Sequence, residues 1–587
     1  TSNSLGPNTL CQERFDPNMS DSLRHTMSKK DDDTKDVEKQ KELSAPPAYD
    51  GTTERKDELA ADLAVHVEAA AVSGAYERKV FVLNKVMNED IGMGKFQWQL
   101  FVLSGFGWTV DNIFLQGVAI ILPQIKRELT GYPPEWATFS LYIGLIIGAM
   151  LWGILADIVG RRLSFNVTLF LAGVFGIAAG AAPNFIGLCG LLAALGVGLG
   201  GNLPVDGMLF LEFIPGKNQN LLTLLSVFWA IGQLIASLIA WGFIANYSCS
   251  DASAVCLRAD NPGWRYTFYT LGAITFVLFI FRFAVFSLPE SPKFLVAKGR
   301  DAEAVAVMRE IARRNGKELT SKQLSLSLLR GLSGETVDEA EAAEQEERAA
   351  APAARTGPLD AIKNLVSAPI SVARGLAQIR PSHFKPDMSH VYPLFAGKKL
   401  AYNTSIVILL WGIIGLAYPL FNAFLPLLLA SQSSSTDETY RNYAIISVCG
   451  IPGSILAAWM VDLPRSGRRG AMAIGTLSTA LFLFGLTQVG DNNTASLVLN
   501  CINASAQNIM YGVLYSYTPE CFPAPHRGTG DGIASSFNRV TGAMAPIIRI
   551  YAAGTVFVPV YVSASLFVIA AVLMCTLQVE SRGRTAL

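Results

Sequence analysis

The chain sets ionisable and amide side chains inside runs that are otherwise apolar. Residues 106–123 read FGWTVDNIFLQGVAIILP, with Asp111 near the middle. A carboxylate at that depth in a bilayer costs from about 3 to well above 10 kcal/mol, so it marks a function or a partner by default. Asn112 and Gln116 stand beside it, with Trp108 one turn earlier. Three other apolar runs carry similar stripes: Asn202 and Asp206; Trp411, Tyr418 and Asn422; and Asn500, Asn503, Gln507 and Tyr511. Steps of three, four or seven residues share a helix face. Gln233 and Arg539 lie in two further runs. Groups like these can line a wet cavity that binds a polar solute or a proton. They can also be hydrogen-bond glue between helices, at roughly 0.6 to 2 kcal/mol each. Four stripes on four helices favour the cavity. For Asp111 the readings are proton coupling or contact with a cationic group, a fixed ion pair with Arg539, or an inert polar face. Partial burial makes a carboxyl's protonation switchable near neutral pH. Asp206 shares these readings, nearer the cytosol.

The elements that must position these residues follow from composition and hydropathy. With 51% hydrophobic and 16% charged residues, the 587-residue chain is too apolar for an ordinary soluble enzyme. Lys+Arg and Asp+Glu are equal at 47 each, so no nucleic-acid partner is indicated. The eight cysteines show no CxxC spacing, and with five histidines no metal site or cofactor is expected. Cys249 and Cys256 share a polar loop, where a disulfide and a pair of free thiols both fit. No nucleophile–base pairing or phosphate loop is found, so an enzyme is not expected. The first residue is Thr1, which reads as a processed or incomplete start, and no signal peptide or lipidation motif is seen.

Apolar windows of about 20 residues, enough to span a bilayer, can be placed twelve times: six, a polar gap, and six more. The expected organisation is a disordered tail over 1–75, an amphipathic pre-membrane segment over 76–97, and a six-helix bundle over 98–287. A part-helical linker over 288–400, a second bundle over 401–577 and a tail over 578–587 follow. Basic residues in the short loops place both ends in the cytosol: Arg161, Arg162, Lys217, Arg465, Arg468, Arg469 and Arg527 inside, against Lys126, Arg127, Arg258, Arg265, Arg441 and Arg549 outside. Asn246-Tyr-Ser and Asn492-Asn-Thr then face outward as glycosylation sequons.

The halves repeat. Asp157-Ile-Val-Gly-Arg-Arg162 corresponds to Asp462-Leu-Pro-Arg-Ser-Gly-Arg-Arg469, Glu212-Phe-Ile-Pro215 to Glu520-Cys-Phe-Pro523, and Pro289-Glu290-Ser to Glu580-Ser-Arg. Each pair is offset by about 300 residues at a cytosolic helix end, the mark of a duplicated six-helix transporter half.

These segments also carry a resemblance. GILADIVGRR (153–162) resembles the loop signature of the major facilitator superfamily. LPESPKFLVAKGR (288–300) and PECFPAPHRGTG (519–530) are similar to motifs of its sugar-porter-like branch. GMGKFQWQLF (92–101), LGVGLGGN (195–202) and LEFIP (211–215) look most like transporters related to synaptic vesicle protein two and their fungal relatives. The resemblance implies an all-α integral membrane fold of twelve transmembrane helices in two pseudo-symmetric six-helix bundles, with the first, fourth, seventh and tenth lining the cavity. It also departs from the pattern: Leu192 stands where sugar porters have Arg, WGIIGLAYPLFN replaces the hexose-carrier signature, and Phe114 replaces a second first-helix acid. A hexose is therefore not specified.

Asp157, Arg161, Arg162, Glu212 and Glu290, with Asp462, Arg468, Arg469, Glu520 and Arg527 in the second half, suit salt bridges that close and release an inner gate. In the tail Pro46-Pro47-Ala48-Tyr49 has the form of a WW-domain ligand, which implies a ubiquitin ligase as partner. The expected function is secondary active transport of a small polar organic solute, sugar-like or an organic cation, coupled to protons. The alternatives are export of a metabolite and a non-transporting nutrient sensor. The expected setting is a monomer in the plasma membrane, with the vacuolar or vesicle membrane as alternatives.

Overall fold

The computed structural model describes residues 74–158, 161–249, 256–282, 288–332, 391–464, 466–489, 492–522, 527–552 and 557–579. Pro46, Pro47 and Tyr49, residues 580–587 and the side chains of Asp157 and Arg527 lie outside the described residues. The described residues open with α1 (Ala75–Val86), whose Glu77 accepts from the Gly74 amide at 3.3 Å and closes its first turn. The first six spans are α2 (Lys95–Glu128), α3 (Glu135–Ile158), α4 (Arg161–Gly180), the broken pair α5 (Phe185–Leu199) and α6 (Asn202–Phe213), α7 (Ser226–Ile244) and α8 (Gly263–Ile280). Three short helices follow among the described residues, α9 (Pro292–Ala297), α10 (Asp301–Arg314) and α11 (Leu326–Gly331). The second six spans are α12 (Lys398–Asn422) with α13 (Leu425–Gln432), α14 (Thr436–Met460), α15 (Gly467–Leu486), α16 (Asn493–Cys521), α17 (Arg527–Gly542) with α18 (Met544–Tyr551), and α19 (Val558–Thr576).

The duplication seen in sequence becomes a duplication of packing. In the first bundle α2 packs on α7, α3 on α5, and α4 on α8; in the second the equivalent pairs are α12 on α17, α14 on α16, and α15 on α19. The bundles meet along two equivalent seams, α7 against α14 and α3 against α17–α18. Backbone contact makes the α3–α5 pair tight: a Cβ on Gly144 would lie 2.0 Å from the Ala193 carbonyl, and one on Gly196 2.4 Å from the Leu141 carbonyl. Small residues are what allow helices to approach this closely in a membrane.

Eight of the described spans are by themselves long and apolar enough to cross a bilayer. The four below that threshold are α4, whose apolar stretch Ser164–Gly180 is shorter, α8, α16, which carries a polar stripe, and α17–α18. Large apolar side chains such as Ile147, Trp459, Leu481 and Val572 are more than half exposed, as expected of a lipid-facing surface. The chain is therefore a multi-pass membrane protein with twelve spans in two bundles. Both bundles begin and end on the membrane face that also holds α1 and α9–α11, termed the linker side here.

On that side the linker is fastened to the first bundle. Lys79 on α1 pairs with Asp301 on α10 at 2.5 Å. Asn315, just past α10, accepts from the Phe96 amide at 3.0 Å and donates to Gln97 Oε1 at 2.8 Å, so a linker residue caps the first span. Gly94 makes this approach feasible, since a Cβ there would sit 2.2 Å from Asn315 Cγ.

Candidate solute and proton site

Between the bundles lies a narrow polar pocket, part of it open to solvent. Its polar lining is made of amides: Asn112 from α2, Gln233 from α7, Asn422 from α12, and Asn500, Asn503, Gln507 and Asn508 from α16. The rest is aromatic and apolar, with Trp229, Tyr418, Phe421 and Tyr511 prominent. No Asp, Glu, Lys or Arg lines it among the described residues. Several amide atoms and the Trp229 indole await partners: Asn500 Oδ1, Asn503 Oδ1, Gln507 Nε2 and Trp229 Nε1 are buried without a hydrogen bond among the described residues. Buried polar atoms are satisfied in the great majority of cases, so these are atoms that water or a bound molecule would satisfy.

Aromatic rings close the linker-side end. Tyr515 packs against Trp108 at 5.0 Å, Trp229 at 5.6 Å and Trp411 at 4.7 Å between centroids. Trp411 serves this floor rather than the pocket wall, its indole donating to Thr518 Oγ1 at 2.8 Å. Toward the opposite side, Gln116 joins the bundles. Its amide donates to Asn112 at 3.1 Å and to Tyr418 at 3.3 Å, and its carbonyl accepts from Tyr443 at 2.5 Å. Gln116 thus supports the lining instead of forming it.

Asp111 is buried and turns away from the pocket that its neighbour Asn112 lines. Its Oδ1 accepts from Asn202 Nδ2 at 3.0 Å, and its Oδ2 has no partner among the described residues. The fixed ion pair with Arg539 is not formed. Arg539, on α17 across the interface, lies within electrostatic reach of Asp111, Tyr511 and Tyr515, yet among the described residues it makes no ion pair. Asp206 does not reach the pocket either. It pairs at 2.5 Å with Arg282, just beyond α8, and both side chains are wholly buried. Sequence reading overlooked Arg282, Trp229, Asn508 and Tyr443. Only Arg282 carried a signal, as a lone cation at the end of an apolar run.

The repeated charges brace the linker side. Arg161 pairs with Glu212, and its backbone amide donates to Glu290 at 3.1 Å. Arg468 Nη2 meets Glu520 Oε1 at 2.7 Å, and Arg469 donates to the Cys575 carbonyl at 3.0 Å. Each pair lies within a single bundle, Arg161–Glu212 in the first and Arg468–Glu520 in the second. Asp462 makes the crossing contact, accepting from Asn220 at 3.3 Å, while Arg162 is exposed. On the opposite side Trp241 donates to Asp437 at 2.8 Å and Tyr440 to the Ile120 carbonyl at 3.0 Å, both across the seam. Cys249 and Cys256 are joined in a disulfide there, and Asn246 and Asn492 are exposed on that face.

Two six-helix bundles packed around a polar pocket are the arrangement of a membrane transporter. Residues 99–546, and again 406–585, match the Major Facilitator Superfamily, and the chain belongs to that family. It is 44% identical over 527 residues to the MFS siderochrome iron transporter 1 of Ceriporiopsis subvermispora, covering 89% of this chain and 94% of that one. It is 24% identical over 512 residues to the synaptic vesicle 2-related protein of Rattus norvegicus, covering 84% and 80%. Among solved structures, the proton:xylose symporter XylE bound to 6-bromo-6-deoxy-D-glucose superposes with a TM-score of 0.60 at 16% identity, over 84% of this chain and 97% of that one, and so shares the fold.

Proposed function

We propose that the protein is a secondary active transporter of an uncharged, hydrogen-bonding organic solute of about sugar size, accumulated by proton symport through Asp111. The observation that carries this reading is the pocket lined by amides and aromatic rings without a charged side chain. An ion enclosed there would lose its hydration without gaining a counter-ion, a cost of several kcal/mol. Amides donate and accept, so they suit hydroxyl and carbonyl groups, while Trp229 and Tyr511 offer flat apolar faces. Arg539, a buried cation nearby, further disfavours an organic cation.

Alternation would proceed by rocking of the bundles about the pocket. Asp111 stands behind the wall, one residue from Asn112 and opposite Arg539. Its carboxylate attracts Arg539 across the interface, and protonation removes that attraction, which gives proton binding a differential effect on the two arrangements. The disulfide fits an oxidising compartment on the side away from the linker, in keeping with cytosolic ends and a place in the plasma membrane. Glycosylation at Asn246 and Asn492 fits the same orientation. Export by the same route, and solute sensing without transport, are the competing uses of this fold.

A second reading rests on the 44% identical relative, whose name specifies a siderochrome: an iron-loaded siderochrome as cargo. One panel separates the readings. Purified protein is heated with glucose, glucosamine, glucuronate or an iron-loaded siderochrome, and hits are followed as time-dependent uptake into liposomes under a pH gradient. The proposal expects stabilisation by the neutral member of the sugar trio and its accumulation. Stabilisation by the amine alone would overturn it, and binding without accumulation would make the protein a sensor.

A further inference from the structure

One buried acid is left unused by this mechanism, and it lies between Asp111 and the linker side. Asn202 and Asp206 are one turn apart on α6 and both face α2. Asn202 holds Asp111 Oδ1, and Asp206 presses against Gly107, one turn below Asp111, where an added Cβ would fall 1.7 Å from Asp206 Oδ2. The two carboxylates are within electrostatic reach, and each has one buried oxygen without a partner: Asp111 Oδ2 and Asp206 Oδ2. Asn202 Oδ1 and Arg282 Nε and Nη1 are likewise without partners among the described residues. Six residues beyond Asp206 on the same helix stands Glu212, paired with Arg161 at the linker-side surface. Acidic groups thus descend α6 from the Asp111 contact to the gate.

We propose that Asp206 is the exit through which Asp111 exchanges its proton with the linker side; this rests on the reading of Asp111 as the coupling group. The proton leaves Asp111 Oδ2 and is accepted, directly or through a water, by Asp206 Oδ2, so that Asp111 becomes a carboxylate and Asp206 a neutral acid. Asp206 then passes it to water on the linker side and becomes a carboxylate again. Arg282 keeps all its protons throughout. The ion pair gives Asp206 the character of a transit point, because a protonated Asp206 strands Arg282 as a buried cation without its partner. The charged and titratable groups around the pair are Arg282 at the end of α8, Arg539 on α17, Tyr142 on α3, and Tyr511 and Tyr515 on α16.

The test needs no solute. Purified protein is subjected to a pH jump, and loss of the buried-carboxyl C=O band is followed by time-resolved infrared spectroscopy. In Asp111→Asn the band should be absent; if it persists unchanged, the coupling reading of Asp111 fails and the exit fails with it. In the double variant Asp206→Asn/Arg282→Gln, which removes a neutral pair and strands no charge, the band should remain but decay at least 10-fold more slowly. Decay within twofold of the native rate, with Asp111→Asn behaving as stated, overturns the exit alone and leaves a static ion pair. If the double variant does not fold, Gly107→Ala decides, because its methyl group displaces Asp206 Oδ2 while every charge is kept. There too a slowed decay supports the exit, and an unchanged one overturns it.

Discussion

At the scale of single residues, Asp111 can be tested because its neighbours are now known. Its ordered contact is a hydrogen bond accepted from Asn202, which the carbonyl oxygen of an asparagine can accept equally well. Asp111→Asn should therefore fold with a thermal midpoint close to native, bind and exchange solute in counterflow, and lose pH-driven accumulation. A fixed pair with Arg539 would instead show itself as a loss of about 3 to 5 kcal/mol, since a buried cation would be left alone. Contact with a cationic solute would show as lost binding and exchange in a folded protein. Stability, counterflow and pH-driven uptake measured on this one variant separate the three, and accumulation that survives the substitution would falsify coupling through Asp111.

At the scale of elements, two structures on the linker side make different predictions. The Arg161–Glu212 pair ties the start of α4 to the end of α6 within one bundle. Glu212→Gln should leave the fold largely intact and lower the maximal rate more than the apparent affinity, because it loosens a moving end rather than the pocket. A loss of affinity at full rate would show that the pair shapes the pocket. The cap that Asn315 places on α2 is a structural contact: Asn315→Ala removes the acceptor for the Phe96 amide and the donor to Gln97. It should cost about 0.5 to 2 kcal/mol, the usual range for a lost helix cap. Thermal unfolding and faster proteolysis within α10–α11 would report it, and native behaviour in both would show that the linker contact carries no stability.

At the scale of the whole molecule, alternation requires the seams between bundles to part in turn. Asn220 and Asp462 bridge the bundles on the linker side, and replacing both by cysteine should give a pair that cross-links on oxidation. Counterflow should stop when it forms and resume on reduction. Exchange that continues in the cross-linked protein would exclude rocking at that seam. The tail makes a separate prediction: Tyr49→Ala should lengthen surface lifetime and leave transport per molecule unchanged, as measured by surface labelling in a chase. Equal lifetimes would remove the WW-ligand reading.

Twelve apolar runs, the repeated charges at helix ends and the polar stripes were all readable from residue order, because each depends on a local period: about 20 residues for a bilayer, three or four for a helix face. The duplicated halves emerged from the recurrence of the same charged motifs about 300 residues apart. Periodicity names a face but not the neighbour opposite it. The sequence could not show that Asp111 turns into its own bundle while Asn112, one residue and about 100° further round the helix, lines the pocket. Nor could it pair Asp206 with Arg282, bring Trp229 to the pocket and Tyr443 to Gln116, or send Asn315 from the linker to the foot of α2. Those contacts join residues far apart in the chain, and their formation depends on how whole helices pack. The glycine faces of α3 and α5 and the two seams between the bundles set that packing, and through it which buried polar atoms gain partners and which are left without one among the described residues.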